Sequence, residues 1–260
     1  MKARTLRTPR GAEIRLLEGG RGKPLVFLHG AGGLFAENPF LDRLAERYRV
    51  FAPELPGYGE SRGEELLDDM LDFTLHGWDV VAGLEIDRPY LVGHSMGGMI
   101  AAEMAAHCPR EVAKLVLVGA LGLWIPEQPV PDFFAMLPFE YPRLLFHDAE
   151  RGAALLTGGL DFTNVDALAG FYIDNSRRMA MAGKILFPIP NRRLAKRLYR
   201  VRAETLCVWG KSDQVTPPVY GERFRDAIAG ARLALIDEAG HMAPYEQPDV
   251  FVSLVAGFLS

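Results

Sequence analysis

The residue types that can together perform nucleophilic attack on a carbonyl stand far apart in this chain, and the first of them is a serine between glycines. Ser95 lies in Gly93-His94-Ser95-Met96-Gly97-Gly98, after the apolar run Tyr90-Leu91-Val92 and before Met99-Ile100-Ala101-Ala102-Glu103-Met104-Ala105-Ala106. That order predicts strand, tight turn and helix, since alanine is the strongest helix former. A serine on such a turn is held in a strained backbone conformation, and strand and helix approach so closely that small residues are needed two before and two after it. The turn lifts the hydroxyl out of the sheet, and the helix behind it offers free N–H groups and a positive dipole end to an oxyanion.

A serine hydroxyl is a weak nucleophile at neutral pH and needs an adjacent base, itself oriented by a third group. Six histidines compete for the role. His29 and His94 adjoin motif glycines and suit hydrogen bonding beneath the site, while His76, His107 and His147 lie in helical or loop contexts that suit surface or packing roles. His241 follows an apolar strand candidate within Glu238-Ala239-Gly240-His241-Met242-Ala243-Pro244, a loop before the last helix. Loops after strands are where such folds carry function, so His241 is the expected base. Asp213, in the loop Gly210-Lys211-Ser212-Asp213-Gln214-Val215-Thr216-Pro217, is the expected acid, with Asp237 and Glu238 as alternatives too near His241 in sequence to orient it easily.

An oxyanion needs two donors. Leu25-Val26-Phe27-Leu28 runs into His29-Gly30-Ala31-Gly32-Gly33, where small residues let a backbone N–H approach substrate. Met96 is expected to give one N–H and Ala31 the other, with Gly32 as reserve.

These parts need a scaffold of βα units. Strand candidates are Leu25 to Leu28, Val50 to Ala52, Tyr90 to Val92, Lys114 to Val118, Thr205 to Trp209 and Arg232 to Ile236. Helical stretches alternate with them, which predicts an α/β fold with a mostly parallel central sheet covered on both faces. Thr5 to Thr8 and Glu13 to Leu17 flank Pro9-Arg10-Gly11 as an antiparallel hairpin at one edge. Between Ala120 and Arg202 the strand signal vanishes, aromatics cluster and prolines recur at Pro126, Pro129, Pro131, Pro138, Pro142, Pro188 and Pro190. The expected organisation is a core of residues 1–120 and 203–260 with a helical cap, or lid, at 121–202 set over the sheet edge where the loops converge. Trp124 in the cap and Met242 beside the base are candidates for substrate contact, beneath an aromatic cap that suggests an apolar pocket. The basic residues from Asn191 to Arg202 are spaced as the solvent face of a helix.

The composition, 49% hydrophobic and 24% charged, is that of a packed globular protein. A formal charge of −4 argues against nucleic acid as a partner. Two cysteines, Cys108 and Cys207, make no disulfide framework. The first twenty residues lack the apolar block of a signal peptide, and the longest largely apolar stretch, Leu115 to Pro126, is too short for a bilayer. The expectation is a cytoplasmic monomer or homodimer acting on a small molecule, without membrane attachment.

With these parts in view, the chain resembles the α/β-hydrolase superfamily over essentially its whole length. The resemblance is carried by His29-Gly30-Ala31-Gly32-Gly33, Leu55-Pro56-Gly57-Tyr58-Gly59-Glu60-Ser61, Gly93-His94-Ser95-Met96-Gly97-Gly98, the Asp213 loop, and Gly240-His241 with Glu246-Gln247-Pro248. It implies a Ser-Asp-His triad in the chain order Ser95, Asp213, His241. It also implies chemistry that requires no metal or organic cofactor. A serine at position 95 separates the chain from the epoxide hydrolases and haloalkane dehalogenases, which place aspartate there. Similar members include carboxylesterases, lactonases, cofactor-free haloperoxidases and carbon–carbon hydrolases of aromatic ring-cleavage products. The last group typically has asparagine at the position of His94 and a cap arginine at a spacing that falls here on about residues 163 to 168, where this chain has none. Arg177 and Arg178 lie nearer to Asp213. Ester hydrolysis is the leading expectation, carbon–carbon or lactone hydrolysis the alternative, and a non-catalytic receptor on the same fold the reading outside enzymes.

Overall fold

The computed structural model describes residues 1–161, 163–188 and 191–260, so Pro190 of the proline series lies outside the described residues. Its strands are β1 (Lys2–Arg7), β2 (Glu13–Gly19), β3 (Pro24–Leu28), β4 (Arg49–Pro53), β5 (Tyr90–His94), β6 (Lys114–Val118), β7 (Glu204–Gly210) and β8 (Arg232–Ile236). Its helices are α1 (Pro39–Leu44), α2 (Met70–Gly83), α3 (Met96–His107), α4 (Tyr141–Leu145), α5 (Ala149–Thr157), α6 (Val165–Leu186), α7 (Pro218–Ala227), α8 (Ala243–Glu246) and α9 (Pro248–Leu259). The strands form one sheet in the order β1-β2-β4-β3-β5-β6-β7-β8, parallel from β4 to β8, with the β1–β2 hairpin antiparallel at one edge.

Alternation along each strand builds two cores. Val26 and Leu28 of β3 face one layer with Leu115 and Leu117, while Leu25 and Phe27 face the other with Val116 and Val118. Strands buried on both faces read as continuous apolar runs. Helix α3 is buried almost all round, which its small residues permit, because it lies between the sheet and α2. Helix α2 starts at Asp69, whose carboxylate accepts the N–H groups of Leu71 (2.8 Å) and Asp72 (3.1 Å).

Register decides where the chemistry sits. Leu28 pairs with Gly93, His94 with Val118, and Gly210 with Ile236. The C-terminal ends of these strands therefore line up along one edge, and the loops beginning at residues 29, 95, 119, 211 and 237 open side by side.

The segment between β6 and β7 contains α4, α5, α6 and short 3₁₀ turns, with no strand among its described residues. Its long helix α6 is tied to the loop before α2: Arg177 pairs with Glu64 (3.1 Å), and Lys184 Nζ donates to the carbonyls of Glu64 (2.8 Å) and Leu67 (2.6 Å). The basic stretch exposes Arg193, Lys196, Arg200 and Arg202 as expected but is not a single helix, and two of its arginines bond to α3. It forms two 3₁₀ turns, Leu194–Lys196 and Leu198–Arg200, that bury Leu194 and Leu198. Arg197 makes a two-pronged pair with Glu103 of α3, its Nε 2.8 Å from Oε2. Arg200 Nε donates to Ala106 O at 2.7 Å. Periodicity of charge alone missed this, because the acceptors come from α3, some 94 residues away in sequence.

Glu103 is 1% exposed whereas Arg197 keeps 32% of its side chain in solvent. Removing one partner of a wholly buried pair costs about 3–5 kcal/mol. Glu103→Ala is expected to lower the urea-unfolding free energy by about 2–3 kcal/mol, reduced by that exposure. A loss under about 0.5 kcal/mol, typical of surface positions, would show the clamp to be unimportant.

Candidate active site

Ser95 stands at φ 55°, ψ −118° between β5 and α3. A non-glycine residue in that region stores strain that the surroundings must hold. Its N–H donates to Val118 O (2.8 Å), and its carbonyl accepts from Met99 (3.1 Å) and Leu121 (3.1 Å). The flanking glycines are steric requirements: a Cβ on Gly93 would run into the backbone of Gly97 and Gly98, and one on Gly97 into the carbonyls of Leu28 and His29.

The loops bring the three distant residues together in one hydrogen-bonded line. Ser95 Oγ is 2.8 Å from His241 Nε2, and His241 Nδ1 is 2.9 Å from Asp213 Oδ2. All three are buried. A carboxylate only accepts, so the imidazole proton lies on Nδ1, leaving the Nε2 lone pair to receive the Ser95 O–H. Asp213 Oδ1 accepts the N–H groups of Val215 and Thr216, each at 2.9 Å, and the Thr216 hydroxyl lies 3.1 Å from Oδ2. Both carboxylate oxygens are thus occupied. The alternative acids lie elsewhere: Asp237 is exposed and pairs with Lys211, and Glu238 is an exposed turn residue at φ 50°.

The loop after β3 packs against the serine turn, with the Cβ position of Gly30 3.1 Å from Ser95 Cβ. Met96 opens α3, so its N–H has no intrahelical acceptor. Among the described residues no hydrogen bond takes up the N–H of Met96 or of Ala31. Gly32 is exposed, and its carbonyl accepts from Arg178 Nη1 of α6 at 3.3 Å. Trp124 is half-buried against the core layer that holds α6, whereas Met242 belongs to the other layer with Phe146 and Tyr245. Among the described residues no cluster of three or more His, Cys, Asp or Glu is arranged to hold a metal ion.

A glycine passed over in the sequence and the two histidines expected to hydrogen-bond beneath the site complete the arrangement. Gly119, at φ 49° after β6, leaves room for the acid–base pair, since a Cβ there would sit 3.2 Å from both Asp213 Oδ2 and His241 Nδ1. A glycine ending an apolar strand was the available signal. His94 Nε2 donates to the carbonyl of His241 itself at 2.8 Å, and burial is the main cause that pushes its pKa down to about 3. His29 receives Leu55 N–H at 3.0 Å on Nε2 and donates from Nδ1 to Gly30 O at 2.7 Å; burial lowers it to about 4.

A hydroxyl, a base and an acid converge here, and the loops beside them carry the unoccupied amides of Met96 and Ala31; such a set is the equipment for acyl transfer to water. The chain belongs to the alpha/beta hydrolase family, whose sequence profile matches residues 25–254. It is 31% identical to a 2-hydroxymuconate semialdehyde hydrolase of Pseudomonas sp. strain CF600, over 96% of this chain and 91% of that protein. It is 30% identical to a 2-hydroxy-6-oxo-6-phenylhexa-2,4-dienoate hydrolase of Comamonas testosteroni, over 95% and 91%. A crystal structure of a bacterial membrane phospholipase A superposes with a TM-score of 0.80 at 25% identity, covering 99% of this chain and 85% of that one. In this chain, no described helix is long and apolar enough to cross a membrane.

Burial also lowers His76 to about 4, so three histidines stay neutral in the fold well below their ordinary value of 6.5. Between about pH 4 and 6.5 the unfolded chain binds more protons at these sites than the folded one, so stability rises with pH across that window and their contribution levels off above it. Urea unfolding at pH 5 should give a lower free energy than at pH 7.5, and His76→Phe should reduce the slope. Equal stability at the two pH values would contradict the assignment.

Proposed function

We propose that the protein hydrolyses a carboxylic ester of a small, largely apolar substrate through an acyl-enzyme on Ser95. The observation that carries the reading is the continuous line from Asp213 through His241 to Ser95 beside two unoccupied amides. In this reading Ser95 Oγ attacks the ester carbonyl carbon while His241 Nε2 takes its proton. The amides of Met96 and Ala31 hold the tetrahedral oxyanion. Collapse breaks the acyl–oxygen bond, and His241 returns the proton to the leaving alcohol. Water then attacks the acyl carbon with His241 again taking the proton, and the acid leaves as the proton passes back to Ser95. The likeness to a phospholipase, itself an ester hydrolase by name, supports this class.

One observation favours a second reading, hydrolysis of a carbon–carbon bond in a carboxylate-bearing dienoate. The two sequence relatives are named for such substrates. Arg178 places a guanidinium beside the carbonyl of Gly32 at the entrance to the oxyanion loop, where a substrate carboxylate could be received. Against it stand His94 in place of asparagine and the lack of an arginine at residues 163–168.

Activity on nitrophenyl esters is expected in the wild type, and Ser95→Ala should reduce kcat by about 10⁴-fold or more, as loss of a triad serine does elsewhere. Equal rates in the two proteins would remove Ser95 from the mechanism. Bleaching of a coloured 2-hydroxy-6-oxo-dienoate, with KM raised about tenfold or more in Arg178→Met and ester turnover little changed, would establish the second reading instead.

A further inference from the structure

The loop that carries His241 is held residue by residue. Ala239 O accepts from Ser212 N (2.9 Å), Glu238 O from Gln247 Nε2 (3.1 Å), and His241 O from His94 Nε2 (2.8 Å). Against this loop lies a strap of the inserted segment, Leu145-Phe146-His147. Met242 N donates to Leu145 O at 3.1 Å, and a Cβ on Gly240 would sit 2.7 Å from Leu145 O and 2.9 Å from His147 N. Strap and loop are in direct backbone contact one residue before His241.

One side chain bonds to both. Glu246, at the end of α8 and 7% exposed, accepts Gly240 N–H on Oε2 at 2.7 Å and His147 N–H on Oε1 at 2.6 Å. Two short bonds to one carboxylate are of the charge-assisted kind. Without it the buried N–H of Gly240 would be left without an acceptor, which costs about 1–3 kcal/mol.

We propose that Glu246 is a positioning residue for His241, locking the base-bearing loop to the strap so that the seating of the inserted segment sets the direction of the imidazole. The inference rests on the reading of His241 as the base that activates Ser95. The side chain touches no reacting atom. Burial pushes its pKa up while the two N–H donors pull it back, so the site holds this carboxylate at a desolvation cost that a purely structural contact between apolar groups would avoid. Glutamine is close to it in shape but has one acceptor oxygen, and its NH₂ would face an N–H donor.

The test uses diisopropyl fluorophosphate, which is small and independent of the substrate class. The Oγ–P bond forms, fluoride leaves, and the Ser95 proton passes to His241 Nε2, so the rate of modification reads the base directly. In the wild type the adduct is expected on Ser95. In Glu246→Gln modification should slow about 10- to 100-fold, the size of effect that a displacement of about 1 Å has on a reacting group. kcat for an ester should fall in parallel, with KM within about threefold, and Glu246→Asp, which keeps the charge, should recover part of the loss. Should the glutamine variant not fold, Glu246→Asp alone decides, since it too should be slower than the wild type. Wild type modified at Ser95 together with a folded variant modified at the same rate would overturn the positioning role. A wild type that takes no label on Ser95 would overturn the reading of the nucleophile instead.

Discussion

A single buried imidazole with its two nitrogens engaged in opposite directions sets the requirements for the rest of this structure. His241 Nδ1 faces Asp213 and Nε2 faces Ser95. To hold that ring, three loops from non-adjacent stretches of sequence must open at one sheet edge, and the parallel register of β5, β6, β7 and β8 meets the condition. Space is the second demand. Gly119 clears the Asp213–His241 contact, Gly93 and Gly97 let strand and helix meet around Ser95, and Gly240 lets the strap lie against the base loop. A Cβ at Gly93, Gly97 or Gly240 would collide with backbone, and one at Gly119 would press on the acid–base pair.

The polar groups beneath the site follow the same logic. His29 and His94 are buried and neutral, so each offers one donor and one acceptor without adding charge beside the imidazole, which must itself become positive during the attack. His94 links the residue preceding Ser95 to the backbone of His241, so the nucleophile turn and the base loop are one hydrogen-bonded unit. Glu246 extends that unit to the inserted segment. Under the proposed function the attack belongs to the core and substrate selection to the face between the core and α6, where Arg178 reaches the carbonyl of Gly32.

Much of this was legible in the sequence because it is local. The strands from β3 to β8 announce themselves as short apolar runs: β6 and β8 match the expected spans, and the others run one or two residues longer at their ends, where pairing with neighbours extends them. Ser95, Asp213 and His241 could be named because each follows a strand within a glycine- or proline-bearing turn, and the fold brings them within hydrogen-bonding distance. What stayed hidden depends on partners distant in sequence. Arg197 and Arg200 look like a solvated face until α3 supplies Glu103 and the Ala106 carbonyl. Glu246 stands out in the sequence only as part of the Glu246-Gln247-Pro248 segment, and its two contacts emerge once the strap and Gly240 are placed against it. Trp124 and Met242, both candidates for substrate contact, pack in different core layers: Trp124 lies against the layer that holds α6, whereas Met242 precedes α8 and gives its N–H to Leu145 O of the inserted segment.

The central claim is covalent attack by Ser95 with His241 as the base. It is tested most directly by acid-quenching the enzyme during turnover of p-nitrophenyl acetate and mapping the added acetyl mass by peptide mass spectrometry. The account predicts acetyl on the peptide containing Ser95 within the first turnover, formed far more slowly in His241→Gln. Turnover of the ester with no acetyl on that peptide, or with equal acetylation of the His241→Gln variant, would contradict it.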